Sequence, residues 1–169
     1  MKPKIDSAVF RQMMGCFATG IAVVTARNAE LGAFGLTINS LTSVSLDPPL
    51  LLFCLDKSAF LHKYFRSSKN FALNLLADGQ ENISRHFADR HHNARPKNMW
   101  DRSQQDCPIL RGTLGWILCK PRHFYKGGDH TIFVVEVIDL HKRAPAKEPL
   151  TYFHGRYRTL AKLTSGARK

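Results

Sequence analysis

The alternation of apolar and polar residues along the chain predicts a fold built mainly from β-strands. Runs rich in β-branched, aliphatic and aromatic residues recur between glycines and polar turns, which is typical of strands. The strands predicted in this way span residues 20–26, 34–38, 49–55, 71–76, 110–119, 130–141 and 149–157. Because residues 49–55 are continuously apolar, we expect both faces of that strand to be covered.

Apolar residues at helical spacing predict three short helices between the strands. They span residues 7–17, 59–65 and 80–87. Asp6 or Ser7 is the expected N-cap of the first helix, and Ser58 that of the second. One face of the first helix is apolar and consists of Val9, Phe10, Met13, Met14 and Phe17.

The order of these elements predicts a mainly β fold in a single domain, residues 1–169. The strands do not alternate with helices as a parallel nucleotide-binding sheet requires, and no GxGxxG or GxxxxGK[ST] motif is present. An antiparallel, Greek-key-like barrel, closed or partly split, with short peripheral helices fits the pattern best. We expect its core to span about residues 10–158, followed by a basic tail at residues 160–169.

The charge of the chain narrows the class of partner. There are 25 Lys and Arg against 13 Asp and Glu, a formal net charge of +12. Such a charge attracts nucleotides and phosphorylated cofactors, but the basic residues are dispersed, so no specific nucleic-acid site is predicted. The four cysteines form no CxxC pair, and no signal peptide or membrane span is recognisable. We therefore expect a cytoplasmic protein without membrane contact.

Residues 36–49 are the first candidate site because they mix short polar side chains with aliphatic ones. No charged residue occurs before Asp47, and Asp47-Pro48-Pro49 closes the segment as a rigid turn. The polar members are Thr37, Asn39, Ser40, Thr42, Ser43 and Ser45. They either satisfy local backbone groups or bind a planar ligand rich in hydrogen-bonding groups. Composition alone leaves both interpretations open.

Two further segments are candidate sites. In Gly127-Gly128-Asp129-His130 the glycines permit a tight turn, and Asp129 can orient or charge the imidazole of His130. An exposed turn with an incidental histidine is the simpler interpretation of that motif. In residues 152–158 the side chains of Arg156 and Arg158 can bind phosphate. An aromatic strand with solvated arginines explains residues 152–158 equally well.

Other chemistries find little support in the sequence. His86, His91 and His92 lie close together, but no cysteine or suitably spaced glutamate completes a metal site, so none is predicted. There is no GxSxG motif, no evident Cys–His pair and no carboxylate pair suited to a glycosidase. The polar connection at residues 88–105 is long, and such connections are usually functional or mobile.

Taken in order, these segments resemble the short-chain flavin reductases, the reductase components of two-component flavin monooxygenases. Each motif alone is weak, but their order is specific, and the resemblance runs from about residue 10 to residue 158. Residues 88–105 match the family least. The matching segments are Phe17-Ala18-Thr19-Gly20-Ile21-Ala22-Val23-Val24-Thr25, Thr37-Ile38-Asn39-Ser40, Ser43-Val44-Ser45-Leu46-Asp47-Pro48-Pro49, Gly128-Asp129-His130 and His154-Gly155-Arg156-Tyr157-Arg158.

The resemblance implies an FMN-binding split β-barrel that forms a homodimer, with the flavin between the barrel and the partner subunit. It also implies an NAD(P)H:flavin oxidoreductase that transfers a hydride from NADH or NADPH to FMN or FAD. Such an enzyme supplies reduced flavin to a monooxygenase component. The choice between FMN and FAD and between NADH and NADPH stays open, as do the role of the flavin as bound cofactor or diffusing substrate and the final electron acceptor.

The resemblance also implies a set of site residues. Along the flavin it places Thr37, Ile38, Asn39, Ser40, Ser43, Val44, Ser45, Leu46, Cys54, Leu55, Asp56, Lys57, Ser58 and Phe60. On the nicotinamide side it places His130, Phe153, His154, Arg156 and Tyr157. No side chain is expected to act as a nucleophile, and His130 is assigned a positioning role.

Two alternative functions remain open from the sequence. In the first, the protein holds FMN tightly and reduces a non-flavin acceptor such as a corrinoid or a metal complex. In the second, the chain is a non-catalytic module that binds flavin or nucleic acid.

Overall fold

The computed structural model describes residues 5–89, 98–101, 107–144 and 147–161. Three helices are present in this part of the chain: α1 (Ser7–Gly15), α2 (His62–Ser67) and α3 (Glu81–Ala88). The strands are β1 (Thr19–Gly20), β2 (Ala22–Asn28), β3 (Gly32–Ile38), β4 (Thr42–Leu46), β5 (Pro49–Asp56), β6 (Phe71–Leu75), β7 (Trp100–Asp101), β8 (Ile109–Leu110), β9 (Gly115–Gly127), β10 (His130–Lys142), β11 (Thr151–Phe153) and β12 (Arg156–Arg158).

Seven of the strands form one antiparallel sheet in the order β3-β2-β6-β9-β10-β5-β4. The sheet curls into a barrel whose two edge strands, β3 and β4, are not paired with each other. A smaller sheet joins β1 to the C-terminal hairpin formed by β11 and β12. The predicted split, mainly β barrel with peripheral helices is confirmed.

Aromatic side chains fill the inside of the barrel. Phe53 stacks on Phe133 with ring centroids 5.1 Å apart, and Phe71 contacts both rings edge-on. All three are fully buried. A second cluster, formed by Ile21, Val23, Leu76, Phe87, Leu110 and Leu150, packs outside the barrel between α3 and the C-terminal hairpin. Burial of these apolar surfaces is the main stabilising contribution.

A buried asparagine connects the strands beneath this second cluster. The amide nitrogen of Asn74 on β6 donates to the carbonyl of Val23 at 3.1 Å and to the hydroxyl of Thr25 at 3.0 Å, both on β2. Its amide oxygen accepts from the backbone N–H of Leu110 at 2.8 Å. Because Asn74 is fully buried, these partners are what make a polar side chain tolerable there.

The first helix differs from the prediction in extent and in packing. It ends at Gly15 and not at residue 17, and its N-cap is Asp6, whose carboxylate accepts from the N–H of Ala8 at 2.7 Å. None of its residues is buried. The predicted apolar face therefore exists but is largely exposed.

The second helix begins later than expected, because the two donors of Ser58, its predicted N-cap, are hydrogen-bonded to Asp56. The carboxylate of Asp56 accepts from both the N–H and the hydroxyl of Ser58, at 2.8 and 2.7 Å. The helix then starts at His62, with Leu61 at its N-cap, so Ser58 as an N-cap was wrong. The third helix was predicted within one residue at each end.

Several strand boundaries also differ from the prediction. Residues 124–127, predicted as a connection, continue β9, while residues 111–114 interrupt the strand expected at 110–119. The predicted final strand is a hairpin. On β5 Phe53 and Leu55 are fully buried, while Leu50, Leu52 and Cys54 on the other face are half-buried, so the predicted coverage of both faces is only partial. Most of residues 88–105 and the basic tail lie outside the described residues.

We predict that Gly115→Ala lowers the free energy of unfolding by about 1–3 kcal/mol. A Cβ at Gly115 would overlap the backbone carbonyl oxygen of His141 on the neighbouring strand, and neither backbone can move freely. The matched control is Gly20→Ala, whose Cβ would meet no atom within 4 Å. Urea unfolding of both variants measures the difference, and equal stability would contradict the close approach of β9 and β10 at Gly115.

Candidate functional site

A groove of about 940 Å³ lies between α1, the connection from β3 to β4, and the C-terminal hairpin. Its walls are mostly apolar, and among the described residues that line it Arg11 alone is charged. Its lining includes Arg11 on α1, Asn39, Ser40 and Thr42 between the end of β3 and the start of β4, and Tyr152 and Gly155 in the C-terminal hairpin. The groove thus joins the first candidate segment to the third.

In the first candidate segment, residues 36–49, some polar side chains bond backbone groups and others face the groove. Ser40 accepts from the N–H of Cys54 at 2.9 Å and donates to the carbonyl of the same residue at 3.3 Å. Thr37 donates to the carbonyl of Ser84 on α3 at 2.7 Å. For Thr37 and Ser40 the structure favours the interpretation in which side chains satisfy backbone groups.

Asn39 and Thr42 differ from these two residues. Both are exposed and line the groove, and their side chains make no hydrogen bond with the described residues. Their donors and acceptors are open to a ligand. By contrast, Ser43, Val44, Ser45 and Leu46 lie on β4 outside the groove lining, and Leu46 is 94% exposed. The flavin contacts assigned to these four β4 residues stay a prediction.

The segment from Cys54 to Phe60 lies at the end of β5, beside Ser40 but outside the groove lining. Leu55 is buried in the barrel core, as is Ile38 on β3, so only their backbone can contact a ligand. Burial raises the pKa of the Cys54 thiol, and the hydrogen bond with Ser40 partly offsets this shift. Both donors of Ser58 are bonded to Asp56, and the flavin contacts assigned to Cys54, Leu55, Asp56, Lys57, Ser58 and Phe60 stay a prediction.

His130 begins β10 beside the same end of β5, where it pairs with Asp56. Its Nδ1 lies 2.7 Å from the carboxylate of Asp129, which agrees with the interpretation in which Asp129 orients the imidazole. This hydrogen bond and the charge of His130 hold the pKa of Asp129 below its usual range. Lys57 donates to the carbonyl of Gly128 and fixes the turn from the β5 side. His130 does not line the groove, so its nicotinamide role stays a prediction.

The C-terminal hairpin contributes to the groove through Tyr152 and Gly155. Its turn is held by the N–H of His154, which donates to the carbonyl of Gly15 at 2.8 Å, and by positive φ angles of 49° and 71° at His154 and Gly155. The Tyr157 hydroxyl lies 2.9 Å from that of Ser84. Phe153, His154, Arg156 and Tyr157 are not in the groove lining, and their ligand contacts stay predictions.

Sequence reasoning missed the other side of the groove. No local sequence pattern marks the residues there as members of a binding site. They are Arg11 and Met14 on α1 and, around the floor of the groove, Leu75, Leu76, Leu114 and Leu150. Their spacing is that of ordinary helices and strands, and they meet only through long-range pairing. The hydrogen bond from His154 to Gly15 joins residues far apart in the chain.

A protein-family model described as a flavin reductase like domain matches residues 14–161. The chain belongs to this flavin reductase family. The matched range spans nearly all of the described chain, including β1 to β12. The resemblance of the ordered motifs to flavin reductases is thereby confirmed.

Individual flavin reductases are similar over most of their length. The NADH-dependent FAD reductase of Streptomyces globisporus is 38% identical over 164 residues, which are 92% of this chain and 87% of that protein. The NADH-dependent flavin reductase StyB of Pseudomonas fluorescens is 36% identical over 154 residues, 90% of this chain and 89% of that protein.

Solved structures of flavin reductases share the fold. BorF, the flavin reductase component of a bacterial two-component tryptophan halogenase, aligns with a TM-score of 0.85 at 33% identity, over 92% of this chain and 98% of BorF. The Streptomyces globisporus NADH:FAD oxidoreductase SgcE6, in complex with NAD and FAD fragments, aligns with a TM-score of 0.84 at 36% identity, over 96% and 99% of the two chains.

We predict that Ser40→Ala lowers the free energy of unfolding by about 1–2 kcal/mol, because it leaves the N–H and carbonyl of Cys54 without their partner. The matched control is Ser43→Ala in the same segment, an exposed serine whose side chain bonds no described residue. Urea unfolding of the two variants measures the difference. If Ser43→Ala is as destabilising as Ser40→Ala, the Ser40–Cys54 contact is not what holds this segment.

Proposed function

We propose that this protein is an NADH-dependent flavin reductase, an oxidoreductase that transfers a hydride from the reduced nicotinamide to FMN or FAD. The observation that carries the proposal is the groove, which joins the Asn39–Ser40 segment to the C-terminal hairpin in a member of the flavin reductase family. Relatives are named as NADH-dependent reductases of FAD and of FMN.

The groove has the size and chemistry that a flavin ring requires. Its volume of about 940 Å³ lies within the range of small-molecule sites, and apolar walls bordered by a few polar groups are typical of such sites. The amide of Asn39 offers a donor and an acceptor to the hydrogen-bonding edge of the ring. These residues fit the flavin.

Hydride transfer needs orientation more than reactive side chains. The flavin, when bound, supplies the two-electron acceptor chemistry. We propose that Asn39 fixes the plane of the ring, that Ile21, Leu41 and Leu150 exclude water from one side, and that Tyr152 and Gly155 border the nicotinamide. The cation of Arg11 and the net charge of +12 favour the negative charge that develops on reduction.

We further propose that the reduced flavin leaves for a separate monooxygenase. Relatives are the reductase component of a 4-nitrophenol monooxygenase of Rhodococcus opacus and the reductase subunit HsaB of Mycobacterium tuberculosis. No helix in the described residues is long and apolar enough to cross a membrane. The proposed location is the cytoplasm, where reduced nicotinamide is available.

A homodimer is proposed from the surface of α1. Val9, Phe10, Met13 and Met14 are 51–69% exposed on a helix that has no buried residue. An apolar patch of this kind usually marks an interface. Because α1 also lines the groove, a second copy seated on this helix would lie beside the ligand.

Steady-state oxidation of NADH and NADPH, each with FMN, FAD and riboflavin, tests the function. We expect NADH oxidation only when flavin is present, with NADPH the poorer substrate. Stoichiometric flavin that survives gel filtration, together with turnover of a non-flavin acceptor, would favour the alternative in which the protein holds FMN tightly and reduces such an acceptor. Absence of turnover with every pair would contradict the proposal.

In the same assay Asn39→Ala should raise the KM for flavin about fivefold to tenfold, the effect of one lost hydrogen bond. The control is Asn82→Ala, an exposed asparagine on α3 that does not line the groove. An unchanged flavin KM for Asn39→Ala would place the ring elsewhere.

For the homodimer we predict that Met13→Glu yields a monomer in light scattering after gel filtration, because it buries an unpaired charge in the interface. Gln12→Glu adds the same charge at a polar position of the same helix and should leave the dimer intact. A wild-type protein that is monomeric at micromolar concentration would contradict the dimer directly.

A further inference from the structure

Ser84 on α3 is bonded to a residue next to each wall of the groove, although neither Ser84 nor these two partners line it. The residue is fully buried. Its hydroxyl lies 2.9 Å from the hydroxyl of Tyr157, and its carbonyl accepts from the hydroxyl of Thr37 at 2.7 Å. One residue is therefore bonded to β12 through its side chain and to β3 through its backbone.

Each of these contacts leads directly to a groove residue. Thr37 is two residues before Asn39, whose open amide lines the groove. Tyr157 is paired across the hairpin with Tyr152, a lining residue, and the two rings contact with centroids 5.4 Å apart. Both walls of the groove are thus linked, through these neighbouring residues, to one residue of α3, Ser84.

The ring of Tyr157 is contacted from a second direction. The guanidinium of Arg85 lies over its ring, 4.9 Å from the centroid, and Arg85 is itself paired with Glu81 at 2.6 Å. A cation–π contact of this kind is a weak attraction at an exposed site, and it adds to the hydroxyl bond with Ser84. The hydroxyl of Tyr157 lies 2.9 Å from that of Ser84, so Tyr157 can act on the nicotinamide side through the position of the hairpin.

We propose that Ser84 is a positioning residue for the nicotinamide: through Tyr157 it holds the C-terminal hairpin at the separation from the Asn39 wall at which the nicotinamide binds. This inference rests on the proposed function. Its two links are chemically separable, because Ser84→Ala removes the hydroxyl bond to Tyr157 and keeps the carbonyl that accepts from Thr37. Loss of the side chain should therefore affect the hairpin and leave the Asn39 wall in place.

Kinetics of Ser84→Ala, Tyr157→Phe and the double variant test the link. We expect each single variant to raise the KM for NADH about fivefold to tenfold, with kcat within about twofold and the KM for flavin unchanged. The double variant should be no worse than either single one, because both remove the same bond. Ser67→Ala, which removes a serine hydrogen bond on α2, is the matched control and should change neither KM.

Amide hydrogen exchange provides a readout that does not depend on activity. Ser84→Ala should speed exchange in residues 151–158 and leave residues 32–40 unchanged, while Thr37→Val should affect residues 32–40 alone. A wild-type protein that does not oxidise NADH would defeat the proposed function and leave this exchange test valid. Additive effects in the double variant, equal rises in both KM values, or unchanged exchange in the hairpin would each overturn the role of Ser84.

Discussion

The course of residues 39–42 depends on the hydroxyl of Ser40, which bonds both backbone groups of Cys54. The ladder between β4 and β5 ends at the pair of Thr42 and Leu52, and two residues beyond this pair the side chain of Ser40 bonds the backbone of Cys54. The chain can therefore leave β3, turn along the rim of the barrel and keep the amide of Asn39 facing the groove. The hydroxyl of Ser40 thus bonds backbone groups of the fold, and the amide of Asn39 is left for a ligand.

The opposite wall of the groove, which consists of α1 and the C-terminal hairpin, is held by few contacts within the described chain. Helix α1 buries none of its residues, and the bond from His154 to Gly15 joins it to the hairpin. A wall of this kind, made from a helix and a two-stranded hairpin, owes its position to a few contacts at its ends. In the role proposed for Ser84, its contacts with Tyr157 and Thr37 add to these few.

The sequence predicted the barrel and the segment around Asn39, because both depend on local alternation of residue types. It did not predict that Ser58 would bond Asp56, since both a helix N-cap and an Asx turn use such residues and only the three-dimensional contact decides. The inward direction of Leu55 follows from the two-residue period that also buries Phe53. Arg11 and Leu150 could not be found, because they join the groove only through long-range pairing.

A crystal structure of the protein with flavin and oxidised nicotinamide bound would test most directly whether this groove is the site of hydride transfer. We expect the flavin ring in the groove, with its polar edge within hydrogen-bond distance of the Asn39 amide and the nicotinamide between the ring and the hairpin residues Tyr152 and Gly155. A flavin ring bound outside the groove, with Asn39 facing solvent, would contradict the assignment.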